Sequence, residues 1–554
     1  QTITCAECGP RLSMPIKQIV AHLQQGMILA IKGLSGFHLL CDAKNDAAVQ
    51  RLRQRKQRAE QPLAIMVANI ASAKQLAHIN NQEAQLLQSQ QRPIVVLSKK
   101  NNQPISKSVA PGLKWLGIML PYTPLHYLLF HQASEQPNEA DWLEQAQSLC
   151  LVMTSANTSG EPLIIDNDEA RQNLSGIADL IIDHDRVTLT RCDDSVVRVL
   201  NQQTGFIRRG RGYAPLAIKL PHAIPATLAV GGHLKNTICI TRDDEAFVSQ
   251  HIGDLNNAAN LRYFENSIEH LLSLLNVTPE RIAHDLHPDF HSTRYAQSFG
   301  LPCYAIQHHH AHLAAVAAEH NIDQPAIGLV LDGFGLGSDQ RAWGGELLLL
   351  NGPRFQRLGH LQPLKQPGGG DAVAREPWRM AASLLQQIGR GNEIGKRFQS
   401  QPAAKHLAQL LQKNIHSPST SSCGRLFDTA NGLLGLTHKS SFEAQAAMQL
   451  ESLVTTPTIM DDGWQIKNNQ LDFSPLLTAM LDMAPVAAAN LFHGTLIAGL
   501  SEWAAQTARQ QETDIVLLSG GCFLNQTLTS GITTTLKRDG FKPCLQTQSP
   551  INDA

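Results

Sequence analysis

Histidine is the residue whose spacing first suggests chemistry. Eight of the 23 histidines fall between His284 and His320, and four of them crowd into Gln307-His-His-His-Ala-His312. The alanine-rich stretch that follows predicts a helix, on which His308 and His312 project from one face because residues four apart stack on successive turns. Two imidazoles so placed have the geometry that two ligands of one metal require. A lone pair at this spacing is often coincidental, whereas a four-histidine cluster favours metal binding. His309 and His310 point elsewhere, as structural groups or substrate contacts. Further ligands must come from distant segments. Asp332 ends the apolar run Ala326-Ile-Gly-Leu-Val-Leu331 and precedes Gly333-Phe-Gly-Leu-Gly337, so it either faces a metal or phosphate or belongs to an ordinary Asp-Gly turn. Asp553 offers another carboxylate. Mixed histidine and carboxylate ligands suit iron, zinc or manganese better than a structural zinc site, and can leave a position open for substrate.

A second set of candidates handles phosphate. Residues 51 to 58, Arg-Leu-Arg-Gln-Arg-Lys-Gln-Arg, hold five basic side chains. Taken alone the run reads as a solvated helix face. It ends just before the apolar stretch 63–67, however, which puts Lys56 and Arg58 at an element's end, where fixed cations can meet polyphosphate. Thr154-Ser-Ala-Asn-Thr-Ser-Gly-Glu-Pro162 follows another apolar run; Ser155 and Asn157 could bind phosphate and ribose oxygens there, or merely form a polar turn. Two glycine loops also adjoin strands, Gly231-Gly232-His-Leu-Lys235-Asn236-Thr237 and Ser519-Gly520-Gly521-Cys-Phe-Leu-Asn525. Their backbone N–H groups could cradle phosphate.

The elements that must position these residues read as α/β throughout. Helical patterns at 16–26 and 45–58 alternate with strand candidates at 27–31, 63–67, 93–97, 151–153, 180–182 and 195–200. A proline-rich stretch near 215–225 marks a boundary, giving a first domain over 11–218 and a second over 224–554. The second opens on a glycine-punctuated hairpin over 228–240 and contains a polar, helical insertion at about 386–422. With 554 residues and 43% apolar content, wholesale disorder is excluded. A net charge of −1 argues against a protein living mainly on nucleic acid or anionic lipid. No apolar run approaches a membrane span, and the scattered cysteines read as reduced thiols of a cytoplasmic protein. Both ends look cut: the chain opens at Gln1 beside Cys5-Ala-Glu-Cys8 and stops just after Ser549-Pro550.

Several stretches of the first domain together resemble the YrdC family: Lys56-x-Arg58, Pro62-Leu-Ala64, Thr154-Ser-Ala-Asn157 and Lys32-Gly-Leu-Ser-Gly-Phe-His-Leu-Leu-Cys-Asp42, with Arg191 to Arg198 and Ile207 to Pro215 as its closing segment. That family binds ATP and activates a one-carbon acid as an adenylate. Gln61 departs from its pattern, where a lysine is expected, and trims the positive charge. The glycine loops with Asp332-Gly333 resemble the actin/sugar-kinase fold, whose paired phosphate loops face each other across a cleft.

The combination resembles the HypF family of hydrogenase-maturation carbamoyltransferases. Ala283-His-Asp-Leu-His-Pro288, Ser249-Gln-His-Ile-Gly-Asp254, Trp343-Gly-Gly-Glu346 and Ser441-Phe-Glu-Ala-Gln-Ala-Ala447 match as well. The resemblance implies that carbamoyl phosphate is hydrolysed to carbamate in an N-terminal acylphosphatase domain that is missing here. The YrdC-like domain then joins carbamate to the α-phosphate of ATP, with Mg, releasing pyrophosphate. The second domain passes the carbamoyl group to the C-terminal cysteine of the partner HypE. An enclosed path between the two sites is expected, because the adenylate is fragile in water. Lys56, Arg58, His308 and His312 are the expected catalytic groups. Nucleotide contacts are expected from Lys32, Ser155, Asn157 and Arg191, and from Gly231, Gly232, Lys235, Asn236, Gly333, Glu443, Gly520, Gly521 and Asn525. Iron or zinc would be held by His308, His312 and one or both of Asp332 and Asp553. The family's zinc-finger-like modules are reduced to residues 1–10, where one Cys-x-x-Cys pair gives no proper zinc site. With the acylphosphatase absent, turnover from carbamoyl phosphate alone is not expected. Cys522 is expected to pack rather than react. A tRNA threonylcarbamoyl transferase and a non-catalytic nucleotide-binding regulator are the rival readings, the first disfavoured by near-neutral charge.

Overall fold

The computed structural model describes residues 9–158 and 160–553, so Cys5 and Cys8 lie outside the described residues. Among the described residues the chain forms three mixed sheets, of ten, six and nine strands. In the first, the centre runs Trp115–Met119, Ala64–Val67, Cys150–Ser155, Phe37–Asp42, Leu29–Lys32. These strands are nearly continuous apolar runs because both faces are covered. Ile65, Val67 and Val152 point into one core with Leu39, while Met66, Leu151 and Met153 point into the opposite core with Leu40, the period-2 alternation of a strand. Register sets Lys32 opposite Phe37 and His38 opposite Ser155. Lys32 and Ser155 therefore share one end of the sheet two strands apart, about 10 Å at normal strand spacing.

The helix expected over 45–58 spans only Asp46–Arg55. Asn45 caps it by accepting from the Ala48 N–H, and Gln57 takes a left-handed φ of 51° just past its end. Buried Arg53 causes the turn. Its Nη1 donates to the carbonyls of Arg58 (2.9 Å), Ala59 (3.1 Å) and Gln61 (3.1 Å), folding the loop back on the helix. One of the five basic residues is thus structural, and the turn aims Lys56 and Arg58 inward.

The strand Ala217–Lys219, at the edge of the 11–218 span read as the first domain, pairs with Glu245–Val248 in the six-stranded sheet. Leu228 and Ala229 pair antiparallel with Ile240 and Cys239, as the glycine-punctuated stretch suggests. In the third sheet the strand Ala326–Leu336 continues past Asp332, where the apolar run of the sequence ends. Pairing jumps from Leu331–Gly345 to Gly335–Trp343, so three residues on one strand face a single residue on the other and bulge. The bulge takes the Asp332 backbone out of the ladder. The polar stretch 386–422 carries helices Ile394–Arg397 and Ala404–Gln412, packed on Trp378–Gln387 around Trp378, Leu385 and Leu407.

The parts are locked together by buried polar contacts. Arg198 stacks 3.8 Å from the Trp115 ring and donates to the Leu524 carbonyl and the Gln526 side chain, both at 3.1 Å, with Glu451 at 3.8 Å. Among the described residues no helix is long and apolar enough to cross a membrane.

Candidate functional site

His308–Glu319 is helical, as the alanine-rich stretch predicts, and Gln307 caps it by accepting from the His310 N–H. One turn apart, the rings of His308 and His312 lie 5.0 Å from each other. The structure brings four distant residues to one point. His308 Nε2 is 3.4 Å from Asp332 Oδ2 and 3.2 Å from Asp553 Oδ1, and His312 Nε2 is 3.6 Å and 3.2 Å from the same atoms. One ligand atom from each of the four lies within 4.8 Å of every other.

All four of these atoms are buried without a hydrogen-bond partner, a costly arrangement unless something else satisfies them. The outer nitrogens explain why the inner ones converge. His308 Nδ1 is 3.0 Å from Asp285 Oδ2; a carboxylate only accepts, so Nδ1 carries the proton and Nε2 turns a lone pair inward. His312 Nδ1 is 3.2 Å from Ser519 Oγ, whose own proton goes to Gln546 Oε1 at 2.8 Å. The same tautomer follows. Two neutral imidazoles and two carboxylates carry a charge of −2, which one divalent cation balances, and their mixed nitrogen and oxygen character suits iron, zinc or manganese. The fit to a metal is good.

Without a cation, the same carboxylates favour the protonated imidazoles. Burial pulls the imidazolium of His308 down, but Asp553, Asp285 and Asp332 outweigh it and hold its pKa well above the ordinary value; His312 is raised, against burial and His308, by Asp332 and Asp553. Both carboxylates are depressed against their own burial by the two histidines. His309 differs. It is fully buried, stacked 6.2 Å from the Trp343 ring and held neutral, so it packs behind the centre. His310 lies over Phe355 at 4.9 Å.

The phosphate-loop candidates divide. Gly520 has a φ of +100°, and a Cβ there would sit 2.5 Å from the Leu331 carbonyl oxygen; Gly521 N donates to Asp332 Oδ1 at 3.2 Å. Gly231 has a φ of +67°, with the Thr237 carbonyl 2.3 Å from any Cβ. Both loops are therefore close backbone approaches. Gly333 and Gly232 have open space at that position. Two residues expected at the nucleotide turn inward instead. Asn236 spends its amide on the Val230 and Gly232 carbonyls, at 2.9 and 2.8 Å. Asn525 caps the Gln526–Arg538 helix and donates to His493. Short polar side chains serve their own backbone in loops and caps. Lys235 pairs with Glu443 at 2.8 Å, and its charge is kept, against burial, by Glu443, Asp553 and Asp332. Cys522 packs at the core's edge; contact with the Cys423 thiol, together with burial, holds its thiol well above the ordinary value, unsuited to attack.

In the first half, Lys56 Nζ donates to the carbonyl of Ser155, to the carbonyl of Asn157 (3.1 Å) and to Asn157 Oδ1 (2.8 Å). Burial and then Arg58 push its pKa down to about 7. Arg58 donates to Thr154 Oγ1 at 3.1 Å and the Pro62 carbonyl at 2.7 Å, and burial with Arg208 and Arg53 lowers it to about 10. Lys32 is held by a different set: Asn167 Oδ1 at 2.6 Å and the Arg186 carbonyl at 2.8 Å. Arg191 donates to the Leu163 carbonyl at 2.8 Å and lies 5.6 Å from the Tyr263 ring of the second half.

Sequence reasoning missed Asp285, Ser519 and Gln546 as supports, Thr154 as a partner of Arg58, and the junction groups Arg208 and His251. Asp285 stood inside the histidine-rich stretch and could have been found as an orienting carboxylate; Gln546 left no signal. At the junction the Gly160 carbonyl accepts from Asn257 and Asn260, at 2.8 and 2.9 Å, and Glu60 accepts from Gln445 and Ser441. His251 is held neutral by burial, then by the charges of Arg208 and Lys235.

A YrdC-like half joined to a Kae1-like half with a histidine and aspartate centre defines a carbamoyltransferase architecture. Family models agree: "Telomere recombination" (the Sua5, YciO and YrdC type) matches residues 21–210, "HypF Kae1-like domain" matches 222–319, and "Carbamoyltransferase, Kae1-like Domain, second subdomain" matches 328–554. The chain belongs to the carbamoyltransferase HypF family. It is 50% identical to carbamoyltransferase HypF2 of Cupriavidus necator, over 97% of this chain and 72% of that protein. Carbamoyltransferase HypF of Rhizobium leguminosarum bv. viciae is 44% identical over 98% and 71%. A crystal structure of full-length HypF in a phosphate- and nucleotide-bound form superposes with a TM-score of 0.93 at 35% identity, covering 100% of this chain and 73% of that one. That of T. kodakarensis HypF gives 0.90 at 31%, covering 99% and 74%.

Proposed function

We propose that this chain forms carbamoyl-adenylate from carbamate and ATP, supplied with Mg, in its first half and transfers the carbamoyl group to a cysteine thiolate in its second. The observation that carries the reading is the convergence of His308, His312, Asp332 and Asp553, whose carboxylates act on the charge of Lys235. In the first step a carbamate oxygen attacks the α-phosphorus of ATP, the bond to the bridging oxygen breaks, and pyrophosphate leaves. Lys56 and Arg58 neutralise the phosphate and carboxylate charge that would otherwise repel; Ser155, Asn157, Lys32 and Arg191 hold the nucleotide. In the second step the thiolate attacks the carbamoyl carbon and the bond to the AMP oxygen breaks. His308, His312, Asp332 and Asp553 would hold a divalent iron or zinc, which supplies Lewis-acid stabilisation of phosphate charge. The backbone at Gly231 and Gly232, together with Gly333 and Lys235, receives the adenylate's phosphate, while the Gly520 and Gly521 N–H groups are already given to the Ile551 carbonyl and to Asp332.

Carbamate derived from carbamoyl phosphate is the proposed one-carbon substrate, the C-terminal cysteine of HypE the proposed acceptor, and the cytoplasm the proposed location. Carbamate-dependent exchange of labelled pyrophosphate into ATP tests the first step: exchange is expected and is lost in Lys56→Ala. Transfer of labelled carbamoyl to HypE, with AMP released in equal amount, tests the second. Folded protein without exchange would overturn the adenylate reading, and retardation of tRNA in a gel would favour the threonylcarbamoyl rival.

A further inference from the structure

The segment that delivers Asp553 is fastened by the far end of the helix that carries the two histidines. His308 and His312 lie in the first turns of His308–Glu319, and Glu319 is its last residue, about 17 Å from His308 and about 11 Å from His312 at the rise of an α-helix. There the Glu319 carboxylate accepts the backbone N–H groups of Thr547 (2.7 Å), Gln548 (3.0 Å) and Ser549 (2.7 Å), and the hydroxyls of Thr547 and Ser549. His320, the next residue, reaches the Leu545 carbonyl through Nε2 at 2.7 Å. Beyond the clasp the chain runs four residues to Asp553. On the way Gln546 Nε2 donates to the Pro550 carbonyl (3.1 Å), and the fully buried Ile551 lends its own carbonyl to Gly520 N (3.1 Å). A carboxylate at a helix C-terminus opposes the helix dipole, where a cation is normally favoured. Three converging N–H donors offset that cost only while the 547–549 turn stays docked.

We propose that Glu319, assisted by His320, is a positioning residue for the metal centre: one helix fixes both histidine ligands at one end and, through the clasp, the reach of Asp553 at the other. The proposal rests on the metal reading above. Glu319 touches neither metal nor substrate, and nothing in its sequence context marks it.

The test uses the full chain with zinc alone, its affinity measured by competition with a chromogenic chelator. Glu319→Ala is expected to weaken zinc about tenfold or more, as loss of an outer support of a ligand does. Glu319→Gln, which keeps one accepting oxygen, should fall between. Combining Glu319→Ala with Asp553→Asn should be no worse than Asp553→Asn alone, because both act through one ligand. Hydrogen exchange provides a second readout, with faster exchange of the 547–549 amides expected in Glu319→Ala whether or not zinc is added. Unchanged zinc affinity and exchange in Glu319→Ala, or fully additive losses in the double variant, would overturn the proposal. If the parent and His308→Ala chains bind zinc equally poorly, the metal reading fails instead, and accelerated exchange still shows the clasp.

Discussion

His308 gives its Nδ1 proton to Asp285 across 3.0 Å and so directs Nε2 at Asp332 and Asp553. Asp285 comes from the six-stranded sheet and Asp332 from the nine-stranded one, so the imidazole bridges two sheets. Asp285→Asn presents a carboxamide and lets the ring turn or change tautomer. Zinc affinity should fall about 10–100-fold, measured by chelator competition, while carbamate-dependent pyrophosphate exchange stays within about twofold of the parent.

Metal uptake should also depend on pH in a defined direction. The carboxylates hold His308 and His312 above the ordinary histidine value, and a cation needs the unprotonated Nε2. Zinc affinity should therefore rise with pH through and above neutrality, with proton release on binding. A calorimetric titration in buffers of different ionisation enthalpy measures the release; proton uptake would contradict the assignment.

Lys56 predicts the opposite sign for nucleotide binding. Its pKa of about 7 reflects burial beside Arg58, so near pH 8 much of the population is neutral. A bound polyphosphate favours the ammonium and raises that pKa. ATP binding near pH 8 should take up a fraction of a proton, uptake should vanish below about pH 6, and Lys56→Met should abolish it. The same calorimetric comparison decides.

Neighbouring glycines should behave differently. Gly231 has a φ of +67°, and a methyl group on its Cα would meet the Thr237 carbonyl at 2.3 Å, whereas Gly232 has open space. Gly231→Ala should cost about 1–3 kcal/mol or more through backbone strain, seen as a lower thermal midpoint. Gly232→Ala should leave the midpoint within a degree or two.

Arg198 is the buried pin between the halves, with Glu451 as counter-charge 3.8 Å away. Arg198→Met strands Glu451, which still accepts from the Gln526 and Thr527 N–H groups. Breaking a buried pair from one side costs about 3–5 kcal/mol. Urea unfolding should register that loss, and restoring balance with Glu451→Gln in the same chain should recover part of it.

Much of this protein is legible along the chain alone. The i, i+4 spacing of His308 and His312 follows from helix geometry, and the apolar runs at 63–67 and 151–153 follow from strand burial; both are local properties that any fold must respect. Lys56 and Arg58 at an element's end, and Ser155 and Asn157 where a strand ends, are visible for the same reason. What tertiary structure alone decided is convergence. The bulge that frees Asp332 arises from pairing with Gly345 and Trp343 on another strand. Asp553 joins the histidines only because a segment more than two hundred residues along the chain is clasped by Glu319 and laid against Phe206 and Ile207 of the first half. Asn236 and Asn525 looked like ligand contacts and became loop and cap supports, since a short amide serves whichever partner the folded backbone brings nearest. Spacing along the chain determines which residues can act together within an element; which elements meet is set by long-range packing, and that carries no local signature.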